Sequence, residues 1–326
     1  MSNFLGALHI AWAIPPRSYC HPTQPKYREN EPKNKLLLVF FCICAFFLYL
    51  CKRNYHLTYL MGKQMASTHT HISIVIPQRE INDEGKGKKH ALYRLITAAQ
   101  TEYVWMQDDD VALPSLEDAL KGYSLAFKGE DLVILPLRME SERENPSLLE
   151  RLQIAEYAAI QQLTIETAKR GHAVMCSGAN LIAKRDRWLE SYADLHPEIP
   201  SGDDMFLLES FKRRGLKIGV LDDPRYEAIV RPHTSWSAFV KQRMRWAGKA
   251  PKYTDSDILK CGAIVLLVNL LQLVCPVVVL VKFPIEYGMI KRRDKRVSWW
   301  DALLLELLYP FYILLSLFGG LIRRKW

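Results

Sequence analysis

Three long apolar segments constrain the fold more than any other feature of this sequence. Leu36–Cys51, "LLLVFFCICAFFLYLC", carries no charge and is bracketed by Lys35 and Lys52. Ile258–Val281 is long enough to cross a bilayer, and Trp299–Ile322 is a further candidate span. The first segment lies too far from the N-terminus for an ordinary cleaved signal peptide. The pattern predicts a membrane protein with an uncleaved anchor, and the alternative is a soluble protein that buries three apolar helices.

Charge and cysteine content exclude some classes of protein. The net charge of +9 does not identify a nucleic-acid-binding protein, because the basic residues cluster beside the apolar segments, as in membrane flanks. The seven cysteines form no CxxC pair, which indicates neither a disulfide framework nor a zinc site. The carboxylate of Glu306 lies within the last apolar segment and therefore needs a partner or a position near lipid headgroups.

The chain divides into four predicted regions. Residues 1–34 are rich in proline with mixed charge, which predicts a disordered extension, and residues 35–52 form the first anchor. Residues 71–255 alternate short apolar strands with amphipathic helices, which predicts an α/β domain. Residues 257–326 form a C-terminal transmembrane region. The predicted elements are strands at Ile72–Ile76, Tyr103–Gln107, Leu132–Leu137 and Lys217–Leu221, and helices near 88–100, 115–128, 146–170, 203–214 and 234–248.

The sequence leaves the membrane topology open. If Ile258–Val281 crosses once, the basic run Lys291–Arg296 falls on the far side from the α/β domain. That arrangement conflicts with the positive-inside rule for a cytosolic domain. A turn at Cys275–Pro276 would bring the run back to the side of the domain.

Two acidic clusters are candidates for chemistry. Asp108 and Asp110 follow an apolar strand, and residues two apart on a strand share a face, so this pair is predicted to hold Mg²⁺ or Mn²⁺ against a diphosphate. The alternative is a solvated corner. Asp203 and Asp204 open a helix in "SGDDMFLLESFKRRG"; capping explains one of them, and the other is a candidate general base.

Two basic helices are candidates for binding anions. Gly87 and Lys88 open a helix in "EGKGKKHAL", which favours an anion site, although such lysines are also common at solvated helix starts. In "SWSAFVKQRMRWAGK", Gln242, Arg245 and Trp246 fall on one helix face. An amide, a guanidinium and an indole on one face suit phosphate and sugar. The alternative is a basic helix lying on anionic lipid.

These motifs occur in an order that resembles a known family. The order is Asp108-x-Asp110, "GANLIAKRDRW" (Gly178–Trp188), "GDD" (Gly202–Asp204), QxxRW (Gln242, Arg245, Trp246) and then apolar helices. It resembles the membrane-anchored family 2 glycosyltransferases of bacteria, relatives of cellulose and hyaluronan synthases, over about residues 72–326. The resemblance implies a nucleotide-diphospho-sugar transferase fold, Rossmann-like and of the GT-A type, between transmembrane helices.

The resemblance also implies an activity and site roles. The activity is inverting transfer from a nucleotide-diphosphate sugar to a lipid-linked or polysaccharide acceptor, at the inner (cytoplasmic) membrane, with the catalytic domain cytoplasmic and no nucleic-acid partner. Asp108 would contact the nucleotide sugar, Asp110 would bind the metal, and Asp204 would deprotonate the acceptor hydroxyl. Gln242, Arg245 and Trp246 would line the diphosphate and acceptor site.

One segment departs from the family pattern. "SIVIPQREIN" (Ser73–Asn82) runs almost directly into the basic helix, where the family has a further strand and helix that grip the nucleoside. The sheet is therefore expected to have one or two strands fewer than in the family. The alternative function is a truncated, non-catalytic membrane protein of this fold. A metal-binding phosphatase or nucleotidyltransferase would not predict the Gln242–Trp246 helix beside a membrane span.

Overall fold

The computed structural model describes residues 72–77, 87–113, 116, 119–120, 129–199 and 201–322. The predicted extension at 1–34 and the anchor at 35–52 lie outside the described residues, as does most of the helix predicted at 115–128. The described residues contain the α/β region and the C-terminal apolar region.

Seven strands form two sheets in the described residues. They are β1 (Ile72–Val75), β2 (Tyr103–Gln107), β3 (Leu132–Ile134), β4 (Leu137–Met139), β5 (Asn180–Lys184), β6 (Ile218–Val220) and β7 (Ala228–Val230). The larger sheet has the order β1-β2-β5-β3-β6, in which β1 is parallel to β2 and β3 is parallel to β6. Strand β5 runs antiparallel to both of its neighbours, and β4 pairs in parallel with β7.

Eight α-helices whose bounds the structure describes accompany these strands. They are α1 (Gly87–Ala98), α2 (Leu148–Lys169), α3 (Arg185–Glu190), α4 (Asp203–Arg213), α5 (Trp236–Ala247), α6 (Ser256–Val274), α7 (Val279–Arg293) and α8 (Trp299–Ile322). Local sequence explains their starts: Ser147 and Glu150 form a capping box at α2, and the Ser235 hydroxyl accepts from the Ala238 amide at α5. The predicted α/β fold class is confirmed.

The strand predicted at Leu132–Leu137 is wrong in one respect. It is split into β3 and β4, because Pro136 has no amide to donate to a sheet. The carbonyl oxygen of Pro136 instead accepts from the Ala228 amide at 3.1 Å and from Asn180 Nδ2 at 2.9 Å. The break therefore carries the chain from the first sheet to the second. Strands β5 and β7 were not predicted.

Apolar side chains cover both faces of the larger sheet. Val104 and Met106 of β2 face a layer that includes Phe206 and Phe211 of α4. Tyr103 and Trp105 of the same strand face the opposite layer, because successive side chains of a strand point to opposite faces. Strand β1 lies at the edge of the sheet that the structure describes. Residues 78–86 lie outside the described residues, so the expectation of a missing strand–helix unit stays a prediction.

The sequence left open whether Ile258–Val281 is one continuous helix or turns at Cys275–Pro276, and in the structure it is not one helix. Helix α6 ends at Val274, and the chain turns at Cys275–Pro276 before α7 begins. Ile290 of α7 then packs against Ala155 and Ala158 of α2. The structure thus has the turn that the sequence offered as an alternative.

The basic run Lys291–Arg296 lies against the α/β region. Arg293 forms ion pairs with Asp222 at 2.8 Å and Glu227 at 2.6 Å, and Arg296 pairs with Glu140 at 2.9 Å. The turn after α6 therefore returns this basic run to the side of the α/β region.

The C-terminal helices contain a buried ion pair. Both carboxylate oxygens of Glu306 lie 2.9 Å from the Lys282 ammonium, which confirms that Glu306 has a partner. Gln272 donates to the backbone carbonyl of Glu306 at 2.9 Å and so ties α6 to α8. Two described helical segments, Ser256–Val274 and Trp299–Gly320, are long and apolar enough to cross a membrane by length and composition.

Candidate active site

Lys88 brings together two acidic segments that are distant in sequence. It lies in the first turn of α1, directly after Gly87, whose φ of 79° is in the left-handed region that glycine favours. The Lys88 ammonium is 2.7 Å from Asp108, which follows β2, and 3.2 Å from Asp203, which begins α4. The cation between these carboxylates is therefore an amine of the chain itself.

The three partners differ in how the contact shifts their pKa values. Burial lowers the pKa of Lys88, but the charges of Asp203 and Asp108 raise it by more, so the net shift is upward. Burial, together with the charges of Asp203 and Asp110, raises the pKa of Asp108 by more than the charge and hydrogen bond of Lys88 lower it. Burial also raises the pKa of Asp203, yet the charge and hydrogen bond of Lys88 bring it below its ordinary value. Lys88 and Asp203 are therefore charged at neutral pH.

Asp204 has a different environment from its neighbour. Its Oδ2 atom accepts from the Gly178 amide at 3.3 Å, and its Oδ1 atom accepts from the Met205 amide at 2.8 Å. Asp204 forms no ion pair with any residue that the structure describes. Two adjacent carboxylates thus have separate surroundings: Asp203 is paired with an ammonium, and Asp204 is held by backbone amides only.

Gly178 lies directly against this cluster and offers a test of its geometry. A Cβ atom at position 178 would lie 2.9 Å from Asp203 Oδ2 and 3.3 Å from Lys88 Nζ, so Gly178→Ala must displace the Lys88–Asp203 contact. We expect turnover to fall roughly tenfold or more, because small displacements in a site cost much of its rate. Steady-state rates measure the effect, and Gly262→Ala, where a Cβ atom meets nothing within 4 Å, is the control. Unchanged turnover in Gly178→Ala would contradict this role.

The carboxylates at 108 and 110 lie in a turn and not on a strand. Strand β2 ends at Gln107, and the Val111 amide donates to the Asp108 carbonyl at 3.3 Å. Strand alternation therefore does not place Asp108 and Asp110 on one face, and that basis for the prediction is wrong. The two remain close enough to interact, because the charge of Asp110 adds to the effect of burial in raising the pKa of Asp108.

The same two carboxylates decide whether a divalent metal fits. Among the described residues, no group of three or more His, Cys, Asp or Glu side chains forms a metal site from protein ligands alone. Mg²⁺ commonly takes only one or two carboxylates and completes its shell with phosphate oxygens and water. Asp108 and Asp110 supply hard oxygen ligands of that kind, so the residues fit a metal that is held jointly with a diphosphate.

Helix α5 presents the predicted Gln242, Arg245 and Trp246 in unequal environments. Arg245 is exposed, and its guanidinium forms no hydrogen bond or ion pair with a described residue. Trp246 is 38% exposed, and Gln242 is half-buried. Arg245 and Trp246 therefore remain accessible to a ligand.

Arg243 was missed by sequence reasoning, although it organises the same helix. It is buried and lies 2.5 Å from Glu156 of α2, and it donates to the Gln242 side-chain oxygen at 2.6 Å. Its guanidinium lies 4.2 Å from the centre of the Trp246 ring. The Tyr312 hydroxyl of α8 donates to the other oxygen of Glu156 at 2.9 Å. This Tyr312–Glu156–Arg243 network links a candidate membrane helix to Gln242 and Trp246.

Two more residues of the site were missed. Tyr157 packs in one apolar cluster with Ala179 and Val111. Burial raises the pKa of its hydroxyl, and the charges of Asp108 and Asp204 add to this effect. Lys249 follows α5 and is buried beside Gly202. Its only signal in the sequence is its position just after the QxxRW motif.

Comparison with known proteins gives a family match. The sequence profile of the family described as glycosyltransferase like family 2 matches residues 48–249, which is more than half of the 326 residues. No curated protein matches the chain. The matched residues include the two acidic segments and the Gln242–Trp246 helix.

Solved glycosyltransferase structures are more distant. The mannosyltransferase PcManGT from Pyrobaculum calidifontis, in complex with GDP-Man and Mn²⁺, is 16% identical, with a TM-score of 0.41 over 73% of this chain and 68% of that chain. S. aureus TarS 1-349 is 13% identical, with a TM-score of 0.32 over 81% of this chain and 84% of that chain. Likenesses this distant do not identify a substrate.

Proposed function

Because the chain belongs to glycosyltransferase family 2, and is therefore a glycosyltransferase, we propose that it is a membrane-bound enzyme of the inverting type. It moves a sugar from a nucleotide-diphosphate donor to a hydroxyl of a lipid or polysaccharide acceptor. The observation that carries the proposal is the convergence of Asp108, Asp203 and Lys88, with Asp204 adjacent and without a cationic partner among the described residues.

Inversion needs a base on the acceptor side of the sugar, opposite the leaving diphosphate. The contacts favour Asp204 over Asp203 for this task. The pKa of Asp203 is below its ordinary value, so Asp203 is a weak base. Its ion pair with Lys88 instead makes it a group that positions the Lys88 ammonium. Asp204 has only backbone amide donors, so its carboxylate remains available to take the proton of an acceptor hydroxyl.

The donor side needs positive charge where the diphosphate leaves. Lys88 and the accessible Arg245 are the residues that supply it, and the Trp246 ring offers an apolar surface for a sugar. Asp110 and Asp108 would hold Mg²⁺ or Mn²⁺, and a bound metal would offset the charge that develops on the departing diphosphate.

Exposed apolar side chains support a membrane location. Ile264, Leu267 and Val274 of α6 are 61%, 63% and 80% exposed, which a soluble protein with a buried helix would not show. We place α6 and α8 in the inner membrane and the α/β domain on its cytoplasmic side. The basic run Lys291–Arg296 then also lies on the cytoplasmic side, in agreement with the positive-inside rule.

A donor screen tests the proposal. The detergent-purified chain is incubated with a panel of uridine and guanosine diphosphate sugars, with Mg²⁺, with Mn²⁺ or with a chelator, and release of the nucleoside diphosphate is measured. We expect metal-dependent release from at least one donor. Neither binding nor release with any donor would support the non-catalytic alternative instead.

A further inference from the structure

Lys249 is a buried cation without a partner. It is only 7% exposed, and its ammonium forms no hydrogen bond or ion pair with any residue in the described ranges. Burial lowers the pKa of Lys249, and the charges of Asp204 and Asp203 only partly oppose this effect. A largely buried ammonium without an ion pair costs free energy unless a ligand or water completes its contacts.

Gly202 makes the room for this lysine. A Cβ atom at position 202 would lie 2.9 Å from Lys249 Cδ and 3.3 Å from Lys249 Nζ, so the lysine stem runs across the residue that precedes Asp203. Gly202 also has a φ of 85°, which other residues rarely adopt. Because Gly202 of the "GDD" motif has no side chain, the Lys249 side chain has room at the start of α4, next to Asp204, the proposed base.

Arg245 lies one helical turn before Lys249. Its guanidinium also has no partner among the described side chains, and its positive charge is among the effects that lower the pKa of Lys249. Asp203 does not neutralise the pair, because it is bound to Lys88. Two cations one turn apart, both without partners, form a site for a ligand with more than one negative charge.

We propose that Lys249 binds a phosphate group together with Arg245, and that in the reaction this group belongs to the diphosphate of the donor. The inference rests on the proposed function, which supplies that donor. A lipid-linked acceptor would present the same phosphate chemistry, so the experiment must separate the two sources.

The test compares Lys249→Met with Lys252→Met, which removes an exposed lysine in the same turn. Binding of UDP, GDP and inorganic pyrophosphate to the detergent-purified full chain is measured by calorimetry in Mg²⁺, and binding of a soluble short-chain phosphatidic acid is measured in the same way. We expect Lys249→Met to weaken binding of pyrophosphate and of the preferred nucleotide roughly tenfold or more, because a charge-assisted contact is lost. The same variant should raise Tm, because an unpaired buried charge is removed. Lys252→Met should change neither quantity.

The outcomes separate the inference from the function on which it rests. A lower Tm with unchanged affinities would assign Lys249 a structural role and overturn the inference. Loss of phosphatidic acid binding alone, with nucleotide affinity intact, would overturn the donor assignment in favour of a lipid phosphate. If the unaltered chain neither binds a nucleotide nor turns over a donor, the proposed function fails, whereas weaker pyrophosphate binding in Lys249→Met would still support the anion site.

Discussion

Replacing Asp204 with Asn is expected to lower kcat by roughly a thousandfold while leaving metal-dependent nucleotide binding nearly unchanged. Asn has the size of Asp and keeps one of the two oxygens that accept from the amides of Gly178 and Met205, but it cannot accept the proton of an acceptor hydroxyl. Rates of sugar transfer and the affinity for the nucleoside diphosphate, measured on the same preparation, separate chemistry from binding. Normal turnover in this variant would remove Asp204 from the role of base.

Asp203→Asn is the matched control, because it makes the same chemical change one residue away. It removes a charge that is paired with Lys88, so we expect weaker donor binding and a higher KM, with a smaller loss in kcat. Equal losses of kcat in both variants, with KM unchanged, would contradict the division of roles between the two carboxylates.

Local sequence patterns predicted much of the fold. Strand β2 occupies Tyr103–Gln107 as predicted, because a short apolar run with turn signals after it specifies a buried strand. Strand β5 was missed for a related reason. It ends at Lys184 and α3 begins at Arg185, so no glycine or proline marks the junction.

The sequence identified individual residues of the site but not the contacts between them. The pattern identified Lys88, Asp108 and Asp203 separately and paired Asp108 with Asp110 around a metal, but it did not show that the Lys88 ammonium lies between Asp108 and Asp203. Glu156 and Arg243 are 87 residues apart, and nothing in either local sequence indicates the other. Spacing along a helix identifies residues that share a face; it does not show which side chain of the helix is buried against a distant partner.

The Glu156–Arg243 pair gives the second large expected effect. Both side chains are almost fully buried, with exposures of 4% and 3%, so Glu156→Met leaves the Arg243 guanidinium without a counter-charge. We expect the free energy of unfolding to fall by about 3–5 kcal/mol, since breaking one side of a buried ion pair leaves an uncompensated charge. Arg243→Met should also destabilise the chain, although Glu156 keeps its hydrogen bond from Tyr312. Denaturant unfolding of the purified chain measures both values.

The double variant Glu156→Met, Arg243→Met separates the stability of this pair from its role in the site. Replacing a whole buried pair with apolar side chains is often neutral, so the double variant should recover much of the stability that each single variant loses. Its activity should not recover, because Arg243 also holds the side chain of Gln242 and lies over the Trp246 ring. Tyr312→Phe is the milder control and should cost about 1.5–3 kcal/mol, the usual value of a hydrogen bond to a charged group. If the double variant regains full activity together with its stability, the network only supports the fold, and Gln242 and Trp246 do not depend on it.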